Sequence, residues 1–157
     1  MNHQYLLILA VPAFALIGCV GCGADSAFKS NRPLYERVIQ RVQKGEIKTD
    51  QEKGVQIPPG SVRLPSTAQL PPDLGAASVG GEIYVSRAST NQLLVVFKTW
   101  RGKDFNMEGY LYAAKPLSAA EITKDYYGHS VVVIGPIDLV LEKQLDPNWY
   151  RVSYKLD

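Results

Sequence analysis

The sequence predicts an α+β domain in which one N-terminal amphipathic helix precedes a predominantly antiparallel sheet of five to six strands. Two observations support this prediction. Apolar residues recur at helical spacing after residue 33, and from residue 82 onward the apolar pattern has a period of two. The length of 157 residues suits one domain, which we place at residues 33–157. We expect the sheet to curl as a half-barrel or to pair as a small sandwich.

The helix is predicted over residues 33–48. Pro33 suits its first position, because proline lacks only an N–H that would have no partner there. Leu34, Val38 and Val42 follow at four-residue spacing and therefore share one face.

The polar face of this helix is basic. Six Lys or Arg side chains and two Glu side chains lie between residues 29 and 48, a balance of +4. Such a face could rest on anionic headgroups or stay in water, and we favour the solvated interpretation. The basic residues are Lys29, Arg32, Arg37, Arg41, Lys44 and Lys48.

Residues 49–81 form a Pro/Gly-rich connection between the helix and the sheet. Proline cannot donate a ladder hydrogen bond, so we expect a surface connection with short edge strands at most. The β-rich region spans residues 82–157, and its clearest hairpin lies between residues 93 and 113. The spacing from Ser118 to Glu121 predicts a capping box and a short helix over 119–124. Further strands are predicted at residues 131–134, 137–142 and 150–156.

The first 18 residues contain no charged side chain. The apolar run from Tyr5 to Ile17 resembles the central region of a signal peptide and is shorter than the roughly 20 residues that span a bilayer. A buried core helix is the alternative, but such a helix normally has a polar face and this segment has none. We therefore predict that residues 1–18 are a signal peptide.

The apolar run ends in Leu16-Ile17-Gly18-Cys19. This string resembles the lipobox of bacterial lipoproteins, in which a small residue before the cleaved bond is followed by the cysteine that is acylated. The resemblance implies cleavage before Cys19 and a diacylglyceryl group on its sulfur. Cys22 is the alternative lipidation site, and a Cys19–Cys22 disulfide in an unprocessed secreted chain is a further alternative.

Residues 19–32 are mostly small and polar, which predicts a flexible tether that carries the lipid anchor. One acyl chain anchors marginally, at about 0.8 kcal/mol per buried methylene, whereas several chains hold a protein stably. The resemblance therefore implies a location in the cell envelope. Val20 follows Cys19 where Asp would favour retention at the inner membrane, so the periplasmic face of the outer membrane is favoured in a Gram-negative cell.

The residue composition argues against most enzyme classes. His129 is the single histidine after the leader, so a two-histidine zinc motif is excluded and we predict no metal site and no cofactor. The carboxylate pair Asp104 and Glu108 could serve glycoside hydrolysis, but its turn and polar-face positions are typical of solvated side chains. The net charge of +2 gives no reason to expect a nucleic-acid partner.

The sequence contains the residue types for one possible hydrolytic site. His129 and Ser130 could act together if Asp125 or Asp138 oriented the imidazole. Adjacent strand residues point to opposite faces, however, which makes a direct Ser–His pair awkward. We expect His129 to cap a strand end and assign no catalytic residue.

Aromatic side chains form the most suggestive feature. Tyr110 and Tyr112 share one face of the hairpin, Trp100 ends the neighbouring strand, and Trp149 and Tyr150 cluster in loops near the later strands. Rings with polar tips could form a surface for a glycan or a peptide. Cross-strand aromatic pairs that only support the sheet are the alternative.

These observations predict a non-enzymatic, membrane-tethered envelope lipoprotein that binds another protein or a cell-wall glycan. The first alternative is a structural or assembly lipoprotein whose sheet edge or helix docks into an envelope complex. A hydrolase is the third candidate.

Overall fold

The computed structural model describes residues 22–52, 66–87, 90–101, 106–125, 127–134 and 137–154. It contains one long helix, α1 (Cys22–Gln43), followed by a single antiparallel sheet of eight strands. The α+β class and the order of helix and sheet are thus confirmed, and the predicted count of five to six strands is wrong. The strands are β1 (Thr67–Gln69), β2 (Glu82–Arg87), β3 (Leu93–Arg101), β4 (Met107–Ala113), β5 (Thr123–Lys124), β6 (Ser130–Ile134), β7 (Ile137–Asp146) and β8 (Trp149–Tyr154).

The two additional strands are the edges of the sheet. Strand β1 has three residues and lies within the Pro/Gly-rich connection, and β5 has two residues. Strands this short show no clear period of two in the sequence, which is why the pattern did not predict them. Two 3₁₀ turns, Gly75–Ala77 and Val79–Gly81, lead from β1 into β2.

The strands follow the order β1-β2-β3-β4-β8-β7-β6-β5. The last strand of the chain is therefore central, because β8 inserts between β4 and β7. Its register pairs Tyr112 with Trp149 and Leu111 with Tyr150. Paired residues share a face, so Tyr112 and Trp149 lie on one side of the sheet and Leu111 and Tyr150 on the other.

Helix α1 begins well before the predicted start at residue 33 and ends before residue 48. Residues 22–32, which we predicted as part of a flexible tether, are helical, and Pro33 lies inside the helix. The sequence did not reveal that Phe28 is buried among the rings under the helix, which stabilises the extra turns despite the proline. Gly45, with φ of +72°, follows the helix end and adopts the left-handed conformation common there.

The predicted signal peptide (residues 1–18) and Cys19 lie outside the described residues. Cys22, the alternative lipidation site, is the first residue of α1. None of the helices in the described ranges combines the length and apolar character needed to cross a bilayer.

One face of the sheet carries α1, and we call the core between them the helix-facing cluster. It is dominated by rings. Phe28 lies 5.1 Å from Tyr110 and 5.2 Å from Trp149, centroid to centroid, and Tyr35 lies 4.8 Å from Phe97. The helix contributes Phe28, Tyr35, Val38 and Ile39, and the strands contribute Ile83, Val85, Val95, Phe97, Tyr110 and Trp149.

The opposite face, which we call the aliphatic face, is also buried. Its cluster takes residues from β3, β4, β6, β7 and β8. Leu117 packs against it from the loop at residues 114–122. Its most deeply buried members include Leu94, Val96, Leu111, Val132, Ile134, Leu139 and Val152.

The loop at 114–122 forms a turn rather than the short helix predicted over 119–124. The capping contacts themselves are present, since the Glu121 carboxylate accepts hydrogen bonds from the backbone N–H and hydroxyl of Ser118 at 3.0 and 2.8 Å. The same carboxylate also accepts bonds from Thr90 (2.6 Å) and Gln92 (2.5 Å) at the start of β3. These long-range bonds hold the loop against β3, and the chain continues into β5.

Candidate functional site

The predicted aromatic surface is not a single exposed surface in the structure. Tyr110 and Trp149 are buried beneath α1, and Tyr150 is buried on the opposite, aliphatic face. Trp100 is half exposed at the end of β3, and Tyr112 is half-buried at the margin of the helix-facing cluster. Alternation in the sequence identified residues that share a face but could not show that α1 covers that face.

A polar groove runs between α1 and the end of the sheet where β7 turns into β8. Its volume is about 370 Å³, in the lower part of the range of roughly 300–1,000 Å³ typical of ligand sites. Helix α1 forms one wall, and the sheet forms the floor and the other wall. The lining residues are Arg32, Glu36, Ile39, Gln40, Gln43, Tyr112, Asp146, Asn148 and Trp149.

The charged groups of the groove are paired with one another. Arg32 donates from Nε to Glu36 at 2.7 Å and from Nη1 to Asp146 at 2.8 Å. The hydrogen bond to Glu36, followed by that to Asp146, raises the pKa of the Arg32 guanidinium above its usual value. The second pair also ties α1 to the last residue of β7, so it helps to fix the width of the groove.

The neutral polar groups of the groove are largely uncommitted. The side-chain amides of Gln40 and Gln43 and the hydroxyl of Tyr112 make no hydrogen bond to other groups within the described ranges. Asn148 donates from Nδ2 to the Ala113 carbonyl at 2.7 Å, which fixes its orientation in the turn between β7 and β8. The groove therefore presents amide and hydroxyl groups that are available to a ligand.

The floor beneath these polar groups is apolar. Ile39 and Trp149 are almost fully buried, and the Tyr112 ring lies 5.2 Å from the Trp149 ring at an angle of 59°. A ring wall, an apolar floor and planar amides together can contact a ligand that has both apolar faces and hydroxyl groups.

Most of this groove was not predicted from the sequence. Arg32, Glu36, Gln40 and Gln43 recur at intervals of four, four and three residues, which places them along one stripe of a helix. That stripe was the available signal, but the predicted start at residue 33 divided it and concealed its continuity. The contributions of Asp146 and Asn148 depend on the sheet order and could not be read from the helix.

The basic face predicted for the helix is paired in part, because three of its six basic side chains (Arg32, Arg37 and Arg41) contact carboxylates. Arg37 and Arg41 contact Asp73, which precedes the 3₁₀ turns, at 3.4 Å. Arg41 also pairs with Glu46 at 3.0 Å. These three arginines thus contact acidic partners on the helix, along the connection and in the sheet, while Lys29, Lys44 and Lys48 are exposed.

The hydrolytic arrangement is formed only in part. His129 donates its backbone N–H to Asp125 at 2.7 Å, and its Nδ1 lies 2.8 Å from the same carboxylate. Burial acts to raise the pKa of Asp125, but the side-chain and backbone hydrogen bonds from His129 together outweigh it, so the pKa lies below its usual value.

These contacts close the turn between β5 and β6. The Ser130 hydroxyl is engaged by Lys124, at 2.9 Å, and Asp138 is exposed on β7. The observed Asp–His pair is therefore accounted for by the turn.

Two further predicted features concern carboxylates and metals. Glu108 is exposed on β4, as expected for a polar-face residue, and Asp104 lies outside the described residues. Within the ranges that the structure describes, no three His, Cys, Asp or Glu side chains are grouped closely enough to hold a metal ion.

Comparisons with protein-family models, with curated proteins and with solved structures find no significant match to this chain.

Proposed function

We propose that the chain is an exported, lipid-anchored envelope protein whose domain is a non-enzymatic binding module, and that the groove beside α1 is its binding site. The leader and the lipobox-like string that ends at Cys19 support the anchor. The observation that carries the binding role is the set of uncommitted amide and hydroxyl groups above the apolar floor of the groove. The ligand is another envelope protein or a cell-wall glycan.

The proposed anchor holds the domain at the cell envelope, on the periplasmic face of the outer membrane in a Gram-negative cell. Intact-mass analysis of the membrane-extracted protein tests it. We expect a chain that starts at Cys19 and carries acyl mass, and Cys19→Ser should abolish both features. Cys22→Ser is the matched control, because it leaves the lipobox-like string intact. Unchanged maturation and membrane partitioning of Cys19→Ser would overturn the anchor.

The proposed binding site is tested by filling the groove. Gln40→Trp places a large ring on the groove wall, and Ser30→Trp places the same ring on an exposed part of α1 outside the groove. Both variants and the unmodified protein are incubated with insoluble cell-wall glycan and with immobilised envelope proteins. We expect retention by one of these materials to be lost in Gln40→Trp and kept in Ser30→Trp. Equal retention of the two variants would place the binding site elsewhere.

One observation favours the alternative of an assembly lipoprotein. Val133 is 51% exposed on β6, and β6 is flanked by an edge strand of only two residues. An exposed apolar side chain beside a short edge strand could contact a neighbouring protein. Under this alternative Val133→Lys abolishes assembly into a larger complex, and Gln40→Trp leaves it intact; size-exclusion chromatography of membrane extracts separates the two outcomes.

We also propose that the sheet is bent as a half-barrel rather than paired as a sandwich. All eight strands belong to one hydrogen-bonded sheet. Five strands that are neighbours in its order share the buried aliphatic cluster, namely β3, β4, β8, β7 and β6. A flat sheet covered by one helix would leave its second face in water, so the burial of this face supports the bend.

A further inference from the structure

We infer that the groove beside α1 binds an uncharged glycan, recognised through the Tyr112 ring and the amides of Gln40, Gln43 and Asn148. This inference deepens the proposed function and rests on it, because it names the class of ligand that the groove selects. It follows from the charge pairing, the arrangement of the polar groups and the shape of the walls.

The charges in the groove disfavour an anionic ligand. Arg32 is held by two carboxylates at 2.7 and 2.8 Å, so an anionic ligand would have to displace Glu36 or Asp146 to reach it. The charged side chains of the described lining are one cation and two carboxylates, a balance of −1, which also repels an anion. A neutral ligand leaves the three charged groups in place.

The free polar groups match hydroxyl-rich ligands. Each glutamine amide offers two donors and an acceptor in one plane, Asn148 keeps its oxygen and one N–H beside the bond to Ala113, and the Tyr112 hydroxyl can donate and accept. Gln40 and Gln43 lie on one helix face, across the groove from Asn148. Neighbouring hydroxyl groups of a sugar ring both donate and accept, so they can satisfy amides on opposite walls at the same time.

The Tyr112 ring supplies the apolar contact. It is half-buried against Trp149, so its orientation is fixed while part of the ring remains accessible in the groove. Sugar rings have one face of C–H groups, and an immobilised aromatic ring can pack against that face at little cost in conformational entropy.

The walls disfavour an extended peptide. Peptide recognition by strand addition needs a free strand edge, but here Asp146 is paired with Trp149, and Trp149 is paired with Tyr112. Peptide recognition by apolar pockets needs repeated apolar anchor sites, whereas the described lining has one small apolar floor between polar walls. A glycan therefore fits the groove better than a peptide.

Tryptophan fluorescence tests this inference, because the chain has two tryptophans and Trp149 lines the groove. Trp100→Phe leaves Trp149 as the single reporter in the full-length lipoprotein, kept in detergent. The probes are neutral tetrasaccharides of N-acetylglucosamine, glucose and mannose, with a galacturonic acid tetrasaccharide as the anionic control of equal length. We expect at least one neutral probe to change the Trp149 emission in a saturable way and the anionic probe to bind at least tenfold more weakly.

Variants in the same background identify the site. Tyr112→Ala should weaken binding of the neutral probe by about tenfold through loss of ring packing, whereas Tyr112→Phe should change it severalfold at most. Ser30→Trp adds a second reporter and is unsuitable, so Ser30→Ala serves as the neutral control on α1. Thermal melting of each variant separates loss of binding from loss of folding.

Each outcome has one meaning. Saturable binding of a neutral probe that Tyr112→Ala weakens and Ser30→Ala does not supports the inference. Absence of saturable binding by all three neutral probes overturns it, as does equal affinity for the anionic probe. If the groove-filling Gln40→Trp variant still loses retention on envelope proteins in that case, the groove remains a binding site and only its ligand class was wrong.

Discussion

The two faces of the sheet are buried by different means. The helix-facing cluster is filled by large rings, among them Phe28, Tyr35 and Trp149, whose centroids lie 5.2–6.2 Å apart. The aliphatic face is filled mainly by Leu, Val and Ile side chains of the strands, with Leu117 added from the loop at 114–122. A helix on a sheet leaves wide gaps that rings can fill, whereas a face buried mainly by its own strands has room for smaller side chains.

The elements that cover the two faces, α1 and the loop at 114–122, are also held by different interactions. Helix α1 is held mainly by apolar contacts, supplemented by ion pairs such as Arg32–Asp146 and the contact of Lys143 with Asp25. The loop at 114–122 is held by the hydrogen bonds that Glu121 accepts from Thr90 and Gln92. We therefore expect the first cover to respond to side-chain volume and the second to respond to pH.

The largest effect is expected at a glycine of β4 that lies against the backbone of β3. A Cβ added at Gly109 on β4 would lie 2.1 Å from the Phe97 carbonyl oxygen, beside the irregular pairing between Lys98 and Trp100. Because that neighbour is backbone, it cannot move without breaking β3–β4 pairing, and Gly109→Ala should destabilise the fold by about 4 kcal/mol or more. Urea denaturation measures this loss. Gly75→Ala is the control, since its Cβ would meet nothing within 4 Å, and equal losses in the two variants would contradict the expectation.

The next largest effect compares the two faces directly. Trp149→Ala should reduce the free energy of unfolding by about 4 kcal/mol, and Leu139→Ala on the aliphatic face by about 3 kcal/mol. Because Trp149 contacts α1 through Phe28 and Tyr35, only Trp149→Ala should also raise hydrogen exchange along residues 22–43. Equal exchange of the helix in the two variants would show that α1 does not depend on the rings.

Replacing Pro33 is expected to have a smaller effect on stability, and one that stabilises the fold. Proline inside α1 removes one backbone hydrogen bond, and the helix is retained because Phe28 and Tyr35 are buried on either side. Pro33→Ala restores that bond and should stabilise the protein by about 2 kcal/mol. This gain is smaller than the full difference in helix propensity between alanine and proline, because alanine also raises the conformational entropy of the unfolded chain. Thermal melting measures the change. Destabilisation by Pro33→Ala would indicate that the bend at this position is needed for packing.

The smallest effect at neutral pH is expected at Glu121. Hydrogen bonds from Thr90 and from the Ser118 backbone lower the pKa of Glu121 to about 2, from a usual value of 4.5. The stabilisation is therefore complete above pH 4.5 and is lost as the pH falls towards 2. Glu121→Gln should flatten the decline in stability over this interval, and hydrogen exchange should show the loop at 114–122 opening in acid before α1. Glu108→Gln, at an exposed position of β4, is the control and should leave the decline unchanged.

The general order of the fold could be predicted because its long elements have clear periods. Strands such as β3 and β7 are long enough to show alternation, and the helix showed its apolar stripe. The start of α1 was wrong because Pro33 is a strong local signal, and the contact that overrides it lies between Phe28 and strands more than 80 residues away. The short edge strands are defined by their hydrogen bonds to the neighbouring strands, because they are too short to show a hydrophobic pattern of their own.

The site was predicted less well for a related reason. Tyr110 and Tyr112 were expected on one face of the hairpin, but the pairing of Tyr112 with Trp149 depends on the sheet order, and which parts of that face are open depends on where α1 lies. The helix exposes only the margin of the aromatic cluster, where polar residues of its own stripe meet the turn between β7 and β8. A hydrophobic pattern identifies the buried face of a single element. The groove lies where the buried faces of α1 and the sheet end, so predicting it requires knowing how the helix is placed on the sheet.

The position of α1 at the amino-terminal end has a mechanical consequence. A tension applied to that end enters the fold through the first turns of the helix, where Phe28 and the Asp25–Lys143 contact bear it first. Side chains on a helix detach in succession under such a load, whereas paired strands resist it together. Since α1 forms one wall of the groove, tension would widen the groove before the sheet gives way.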